Sequence, residues 1–493
     1  MPSSPDFDNS YARLPASFHR RQDPVPVARP DFIMVNHRLA EALGLDPNWL
    51  GSEEGLATMA GNAVPAGAEP VAMAYGGHQF AQWVPQLGDG RALLLGEVID
   101  RNGTRRDLHL KGSGPTPFSR GGDGRSSIGP VVREYLGCEA MHALGIPTTR
   151  ALAAVATGET VMRERPEPGG ILCRVAGSHV RIGTFEYFAR NDRPDDLKTL
   201  ADYVIARHYP DLTEKANPYV DLLDAVLTRT ARLVAQWMGV GFIHGVMNTD
   251  NQSIIAETID FGPFGWMDTF RPNTAYSYID RRGRYAWNQQ AAIANWNLAR
   301  LAECLLPLID KDQTSALAQA SEIIDRFPAC FESHFHAVLN AKLGLAEQRD
   351  GDHELALALL EHMHANEADM TLTFRRLSDL DTNDPSGDRA VSGLFRAPEA
   401  FDNWAQSWRK RLATEARDDG ARRAAMRAIN PAFVLRNHLA QRAVDAAIER
   451  QDFEPMRRLH RVLEEPFEDQ PEQADLSLPP ETHERVEHTF CGT

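Results

Sequence analysis

Residues 244–262 read HGVMNTDNQSIIAETIDFG, and the spacing within this stretch decides the fold. In a phosphotransferase catalytic loop of the form His-Arg-Asp-x-x-x-x-Asn, the base stands two residues after the histidine and a metal ligand seven after it. Here His244 plus seven is Asn251, and an Asp-Phe-Gly follows at 260–262. His244 plus two is Val246, which cannot accept a proton. Asp250, next to Asn251, is the carboxylate within reach. It suits a group that orients or deprotonates a hydroxyl, and equally one that caps its own turn. Either the site is silent, or it runs a different reaction on the same nucleotide.

A nucleoside triphosphate brings about four negative charges, so a site that works on it needs metal ligands and cations. Asn251 and Asp260 are hard oxygen donors flanking IIAETI, which reads as a strand pair whose short hairpin returns both side chains to one Mg²⁺, with Mn²⁺ as the alternative ion. Farther upstream, RALLLGEVID and DLHLK read as two strands joined at Asn102-Gly103, a strong hairpin signal. Leu108 and Leu110 then share one face, leaving His109 and Lys111 on the other, so that Lys111 is expected to end the strand facing away from the lobe's core. Residues 131–144 carry apolar side chains at helical spacing up to Gly145, which puts Glu134 in the first turn as the partner of Lys111. A second hairpin, ETVMRE then GGILCRVAG, places Leu172 and Arg174 on one face. Arg174 and Arg181 offer planar cationic forks for phosphates. Gly88-Asp89-Gly90-Arg91 and Asp123-Gly124 are flexible loops that suit close backbone approach to phosphate, or plain turns.

These elements describe an α+β, bilobal, protein-kinase-like chain. Residues 1–70 are loop-rich, with Pro24, Pro26 and Pro30 close together, and read as an extension wrapping the core; 71–192 form a β-rich N-lobe. Residues 193–470 form a helical C-lobe, in which 218–238 is the clearest helix, with Leu223, Val226, Leu227, Leu233, Val234 and Trp237 in one stripe. Residues 471–493 are an acidic, Pro-containing tail, expected to be solvated, and it carries Cys491.

At 493 residues the chain exceeds the size at which one core stops growing, so lobes with a cleft between them are expected. Its composition, 43% hydrophobic and 24% charged, is that of a soluble globular protein, and no apolar run is long enough for a membrane span. A net charge of -16 argues against a nucleic-acid partner, whose backbone this surface would repel. The N-terminus lacks an apolar h-region, which points to the cytoplasm. Cys138, Cys173, Cys304, Cys330 and Cys491 show no zinc or disulfide spacing; the first four read as small buried hydrophobes.

Taken together, these residues resemble the selenoprotein O (SelO/YdiU) family. The resemblance spans almost the whole chain and rests on five blocks: YGGHQFAQWVPQLGDGRALLLGE (75–97), LKGSGPTPFSRGGDGR (110–125), EAMHALGIPTTRAL (139–152), HGVMNTDN (244–251) and IDFGPFGWMD (259–268). It implies a pseudokinase fold that binds ATP turned round, so that the α-phosphorus faces the acceptor, and AMP transfer to Ser, Thr or Tyr hydroxyls of proteins with release of pyrophosphate. It implies Asp250 as the base, Asn251 and Asp260 as the metal ligands, and Glu134 as the anchor of Lys111. Contacts to ATP are implied for Gly88, Gly90, Arg91, Lys111, Asp123, Gly124, Arg174, Arg181 and Asp260.

Two departures stand out. Family members usually read DGRAVLRSSIRE where this chain has DGRSSIGPVVRE at 123–134, so the length is kept but the middle of the loop differs. Some bacterial members pair the C-terminal cysteine with one near the activation segment, but here RPNTAYSYIDRRGRY (271–285) has none to pair with Cys491. Two other readings stay open: an ATP-binding scaffold without catalysis, and a phosphotransferase with Asp250 as base.

Overall fold

The computed structural model describes residues 4–490. Strands β1 (His19–Arg21) and β2 (Asp31–Val35) come from the first 70 residues, yet they lie at opposite ends of the main sheet. Three short helices follow them, α1 (His37–Ala42), α2 (Pro47–Leu50) and α3 (Glu53–Met59), each begun by a side-chain cap from Asn36, Asp46 or Ser52. Their Leu39, Trp49, Leu50 and Met59 pack with Leu108, Leu110, Ile171 and Cys173 in one apolar layer. This segment therefore covers the sheet's outer face and closes both its edges, where an uncovered edge invites pairing with other chains. Its proline-rich, loop-like composition gave no sign of the two strands and three helices that do this.

After β3 (Val71–Met73), a small separate hairpin, β4 (Gly77–Gln79) with β5 (Gln82–Val84), turns away from the sheet. The main sheet continues with β6 (Ala92–Ile99) and β7 (Arg105–Lys111), antiparallel across the expected turn. Asp100 Oδ1 closes that turn by accepting the backbone N–H groups of Asn102 and Thr104, both at 2.9 Å. The short β8 (Ser126–Ser127) leads into α4 (Ile128–Ala143), followed by the long antiparallel pair β9 (Arg150–Met162) and β10 (Pro166–Ala176). The sheet order is β1-β3-β6-β7-β10-β9-β2, with β8 paired to β10.

The alternation inferred along β7 holds. Leu108 and Leu110 point to the outer layer, but the opposite face is not turned away from the core as expected: α4 covers it, and His109 and Lys111 are themselves buried. The inner face is roofed by α4, against which two late helices, Asn437–Arg450 and Glu454–Leu463, also pack. Because α4 begins at Ile128, three residues earlier than the apolar spacing indicated, Glu134 lies in its second turn rather than its first.

The chain then becomes helical, with α5 (Ile182–Arg190), α6 (Pro194–His208) and α7 (Pro218–Gly239). All six residues of the inferred stripe on α7 are buried. Pro218 at the first helical position and Asn217, whose side chain accepts the N–H of Val220, start this helix. A minimal pair, β11 (Phe242–Ile243) with β12 (Gly265–Trp266), brackets the quoted stretch, and α8 (Gln290–Ile309) follows. No helix among the described residues is long and apolar enough to cross a membrane.

Two further expectations are corrected. IIAETI does not form a strand pair: Ser253 bridges to Arg181 and Thr258 to Thr148, so the segment spends its backbone on the β10–α5 and α4–β9 connections instead of on itself. The acidic tail is not free in solvent either. Leu476 is buried, Ser477 O accepts Arg436 Nε at 2.9 Å, Asp475 pairs with Arg458 at 2.7 Å, and Thr489 bridges to Ser277. The arginines of the helical lobe supply the partners that hold it down. Cys138, Cys173 and Cys304 are buried and Cys330 is half-buried, while Cys491 lies outside the described residues.

Candidate active site

Lys111 sits at the last position of β7 with its Nζ 2.5 Å from Glu134 Oε2 on α4. The other oxygen, Glu134 Oε1, accepts Arg174 Nη1 from β10 at 3.2 Å. The same Nη1 reaches Asp260 Oδ1 at 2.5 Å, and Lys111 lies 3.5 Å from that oxygen. Asp260 Oδ2 is paired with Arg181, the residue that begins α5. Three cations thus converge on two carboxylates in a buried space. Burial by itself would raise the Asp260 pKa, but Arg181, Arg174 and Lys111 outweigh it and hold the carboxyl well below the usual range. Asp260 also has a left-handed backbone, φ 61°, a conformation that Asp adopts more readily than most residues.

Asp250 and Asn251 lie on a single 3-10 turn, Thr249–Asn251. The Arg181 guanidinium joins this turn to Asp260, since its Nη1 also donates to Asp250 O at 2.7 Å. Asp250 is 6% exposed; its Oδ2 accepts Gln79 Nε2 at 3.2 Å, and its Oδ1 has no hydrogen-bond partner among the described residues. Burial pushes this carboxyl up to about 6, against smaller opposing effects from Gln79 and Arg181. A carboxylate that is poised near neutrality and has one oxygen unengaged has what a general base needs.

Val246 contributes its carbonyl, which accepts Asn251 Nδ2 at 3.1 Å and so fixes which way that amide lies. His244 ties the loop to the segment before Asp260 through Nε2 and Ile259 O, 2.9 Å apart. Asn251 and Asp260 are oxygen donors of the kind a hard divalent cation takes, and Mg²⁺ is usually held by only one or two protein groups together with substrate phosphates. Among the described residues there is no cluster of three or more His, Cys, Asp and Glu side chains able to hold a metal ion.

The remaining inferred residues are more dispersed. Gly88, at φ 64°, packs against Phe118, where a Cβ would come within 2.4 Å of the ring. Its N–H donates to Tyr75 O at 3.0 Å, and that of Gly90 to Gly88 O at 2.9 Å, so both amides are engaged. Arg91 is half-buried at the entry to β6. Asp123 is exposed and paired with Arg163 at 2.8 Å, outside the Asp260 cluster. Gly124, at φ 63°, lets its loop lie directly on Gly114.

Residues of the β4–β5 hairpin escaped the reading of site residues. Besides Gln79, His78 N donates to Thr249 Oγ1 at 2.7 Å, and Phe80 N to Asn248 Oδ1 at 3.0 Å. His78 Nδ1 lies 2.5 Å from Glu186 Oε1 on α5, and Glu186 also receives the Thr249 hydroxyl. Burial raises the Glu186 carboxyl to about 7 and lowers His78 to about 4. The available signal was the pair Gly76-Gly77: a Cβ on Gly77 would strike Asp250, and one on Gly183 would strike Gly76 O. Two adjacent glycines before a polar pair mark a close backbone approach.

Residues 3–464 match the family model described as protein adenylyltransferase SelO. The chain is 61% identical over 495 residues to the protein nucleotidyltransferase YdiU of Alkalilimnicola ehrlichii, covering 100% of both chains. It is 57% identical over 492 residues to the YdiU protein of Methylorubrum extorquens (strain PA1), and 56% identical over 487 residues to that of Rhodopseudomonas palustris (strain BisB18), covering 99% of each chain in both cases. With its β-rich lobe, helical lobe and Lys111–Glu134 pair, the chain belongs to the protein adenylyltransferase SelO family of kinase-like nucleotidyltransferases.

Proposed function

We propose that this chain, acting in the cytoplasm, transfers AMP from ATP to the hydroxyl of a Ser, Thr or Tyr side chain of a protein and releases pyrophosphate. The observation that carries this reading is Asp250: a buried carboxylate with a pKa of about 6 and one oxygen that has no hydrogen-bond partner among the described residues, one residue before Asn251, its backbone carbonyl joined to Asp260 through Arg181. Asp250 takes the proton of the acceptor hydroxyl. The acceptor oxygen bonds to the α-phosphorus, the bond from that phosphorus to the α,β-bridging oxygen breaks, and pyrophosphate leaves with the electron pair. Lys111, Arg174 and Arg181 are the cations available to stabilise the charge that builds on it. Gly88, Gly90, Arg91, Asp123 and Gly124 border the rest of the nucleotide. Asn251 and Asp260 hold Mg²⁺, or Mn²⁺, which when bound neutralises phosphate charge.

Incubation with ATP labelled separately at the α- and γ-phosphates, with a mixed pool of acceptor proteins, tests the reading. Label from the α-position on protein, lost in Asp250→Asn, supports it. Label from the γ-position means phosphoryl transfer with Asp250 as base, and no label from either means a nucleotide-binding scaffold.

A further inference from the structure

Arg174 is 1% exposed, and only part of its guanidinium faces the site. Nη1 serves Glu134 and Asp260, while Nη2 points the other way and lies 3.0 Å from His109 Nδ1 on β7. Arginine has no acceptor, so Nδ1 must accept and the ring proton must sit on Nε2. That nitrogen lies 3.1 Å from Asp89 Oδ2, an acceptor. His109 is fully buried, and its ring stacks on His179 with centroids 4.2 Å apart and planes 16° from parallel. His179 is fixed in turn by Asp107, 2.9 Å from its Nδ1. Asp89 stands between Gly88 and Gly90, and is held there by its N–H to Met73 O at 2.9 Å and by its carbonyl, which accepts Thr116 Oγ1 at 2.6 Å.

We infer that His109 and Asp89 are positioning residues that hold the back of the Arg174 guanidinium, so that its front presents to the nucleotide phosphates, and that they join this arginine to the glycine-flanked loop at 88–90. A guanidinium held on one side keeps its plane when its partner in front changes from Asp260 to a phosphate. Neither residue touches the site directly. Burial, together with the charge of Arg174, keeps His109 neutral, the only form that accepts from Arg174; Asp89 opposes this but does not prevail.

The inference rests on the proposed nucleotide site, and its test reads ATP affinity by calorimetry, without turnover. A chain that binds ATP but transfers nothing would overturn the proposed function and leave this inference standing. His109→Asn keeps an acceptor near the Nδ1 position, whereas His109→Gln reaches toward Asp89 and offers Arg174 nothing. His109→Gln is expected to weaken ATP binding by about tenfold or more, the scale of a lost hydrogen bond to a charged group, while His109→Asn retains most of the affinity at a similar melting temperature. His109→Gln combined with Arg174→Ala should bind no worse than Arg174→Ala alone, because residues acting through one another do not add. Additive losses in the double variant, or unchanged affinity in His109→Gln, would overturn the assignment.

Discussion

A Cβ built on Gly77 would stand 2.7 Å from Asp250 Oδ1 and 2.9 Å from its Cβ, so the backbone of the β4–β5 hairpin is itself one wall around this carboxylate, the proposed base. Gly77→Ala must therefore displace either the hairpin or the carboxylate. A shift of about 1 Å in a reacting group costs about 100-fold in rate. Turnover is expected to fall by that order with ATP affinity changed less than about twofold, because Gly77 abuts Asp250, the proposed base, and not the cations proposed for the phosphates. An equal loss in both quantities would mean that the variant disturbs the whole cleft.

Asp250 must be ionised to act as a base, so kcat/KM should rise with pH along a limb centred near 6. The hydrogen bond from Gln79 favours the charged carboxylate. Gln79→Leu is expected to move the limb to higher pH, with the plateau rate above it reduced less than the rate at pH 6. A limb that stays in place in this variant would show that Asp250 is not the group being titrated.

The same carboxyl makes a prediction about stability. Its folded-state pKa of about 6 exceeds its ordinary value of 3.8, so its contribution favours folding most below pH 3.8 and is lost as pH rises through about 6. Above that, the buried charge costs about 3 kcal/mol, from 1.36 kcal/mol per pKa unit. Asp250→Asn should therefore abolish transfer and raise the melting temperature at pH 8, with little gain at pH 4. Calorimetry at the two pH values decides this.

Asp260 neutralises Arg174, Arg181 and Lys111 together. Asp260→Ala leaves Lys111 and Arg174 with Glu134 and takes from Arg181 its ion pair, and breaking a buried pair in this way costs about 3–5 kcal/mol. A lowered melting temperature and loss of transfer are expected. Pyrophosphate should raise the melting temperature of this variant more than that of the unaltered chain, since an anion that binds only the folded state stabilises it. Equal shifts in both proteins would argue against phosphate binding at these three cations.

Much of this architecture is written locally. The α7 stripe was legible because a helix one turn deep in the core must repeat its apolar residues every three to four positions. Strand parity set His109 and Lys111 on the face opposite Leu108 and Leu110, and Arg174 on that of Leu172, but not that Lys111 is buried under α4 rather than turned away from the core. Order along the chain then brought Lys111 to Glu134, as the structure has it. The failures are equally physical. IIAETI has the composition of strands but finds its bridges at Arg181 and Thr148, far away in sequence. The acidic tail reads as solvated until the arginines of the helical lobe are set beside it.

By itself, the amino-acid order determined the two-lobed class, the principal helices and strand faces, and the cations and carboxylates available for chemistry, because each depends on neighbours two to four residues apart. Only the tertiary structure decided that Gln79 meets Asp250 across 171 positions, that Glu186 takes the hydroxyl of Thr249 across 63, and that His109 holds Arg174 across 65. Such meetings are selected by competition for buried hydrogen bonds throughout the folded chain, and no local periodicity records the outcome.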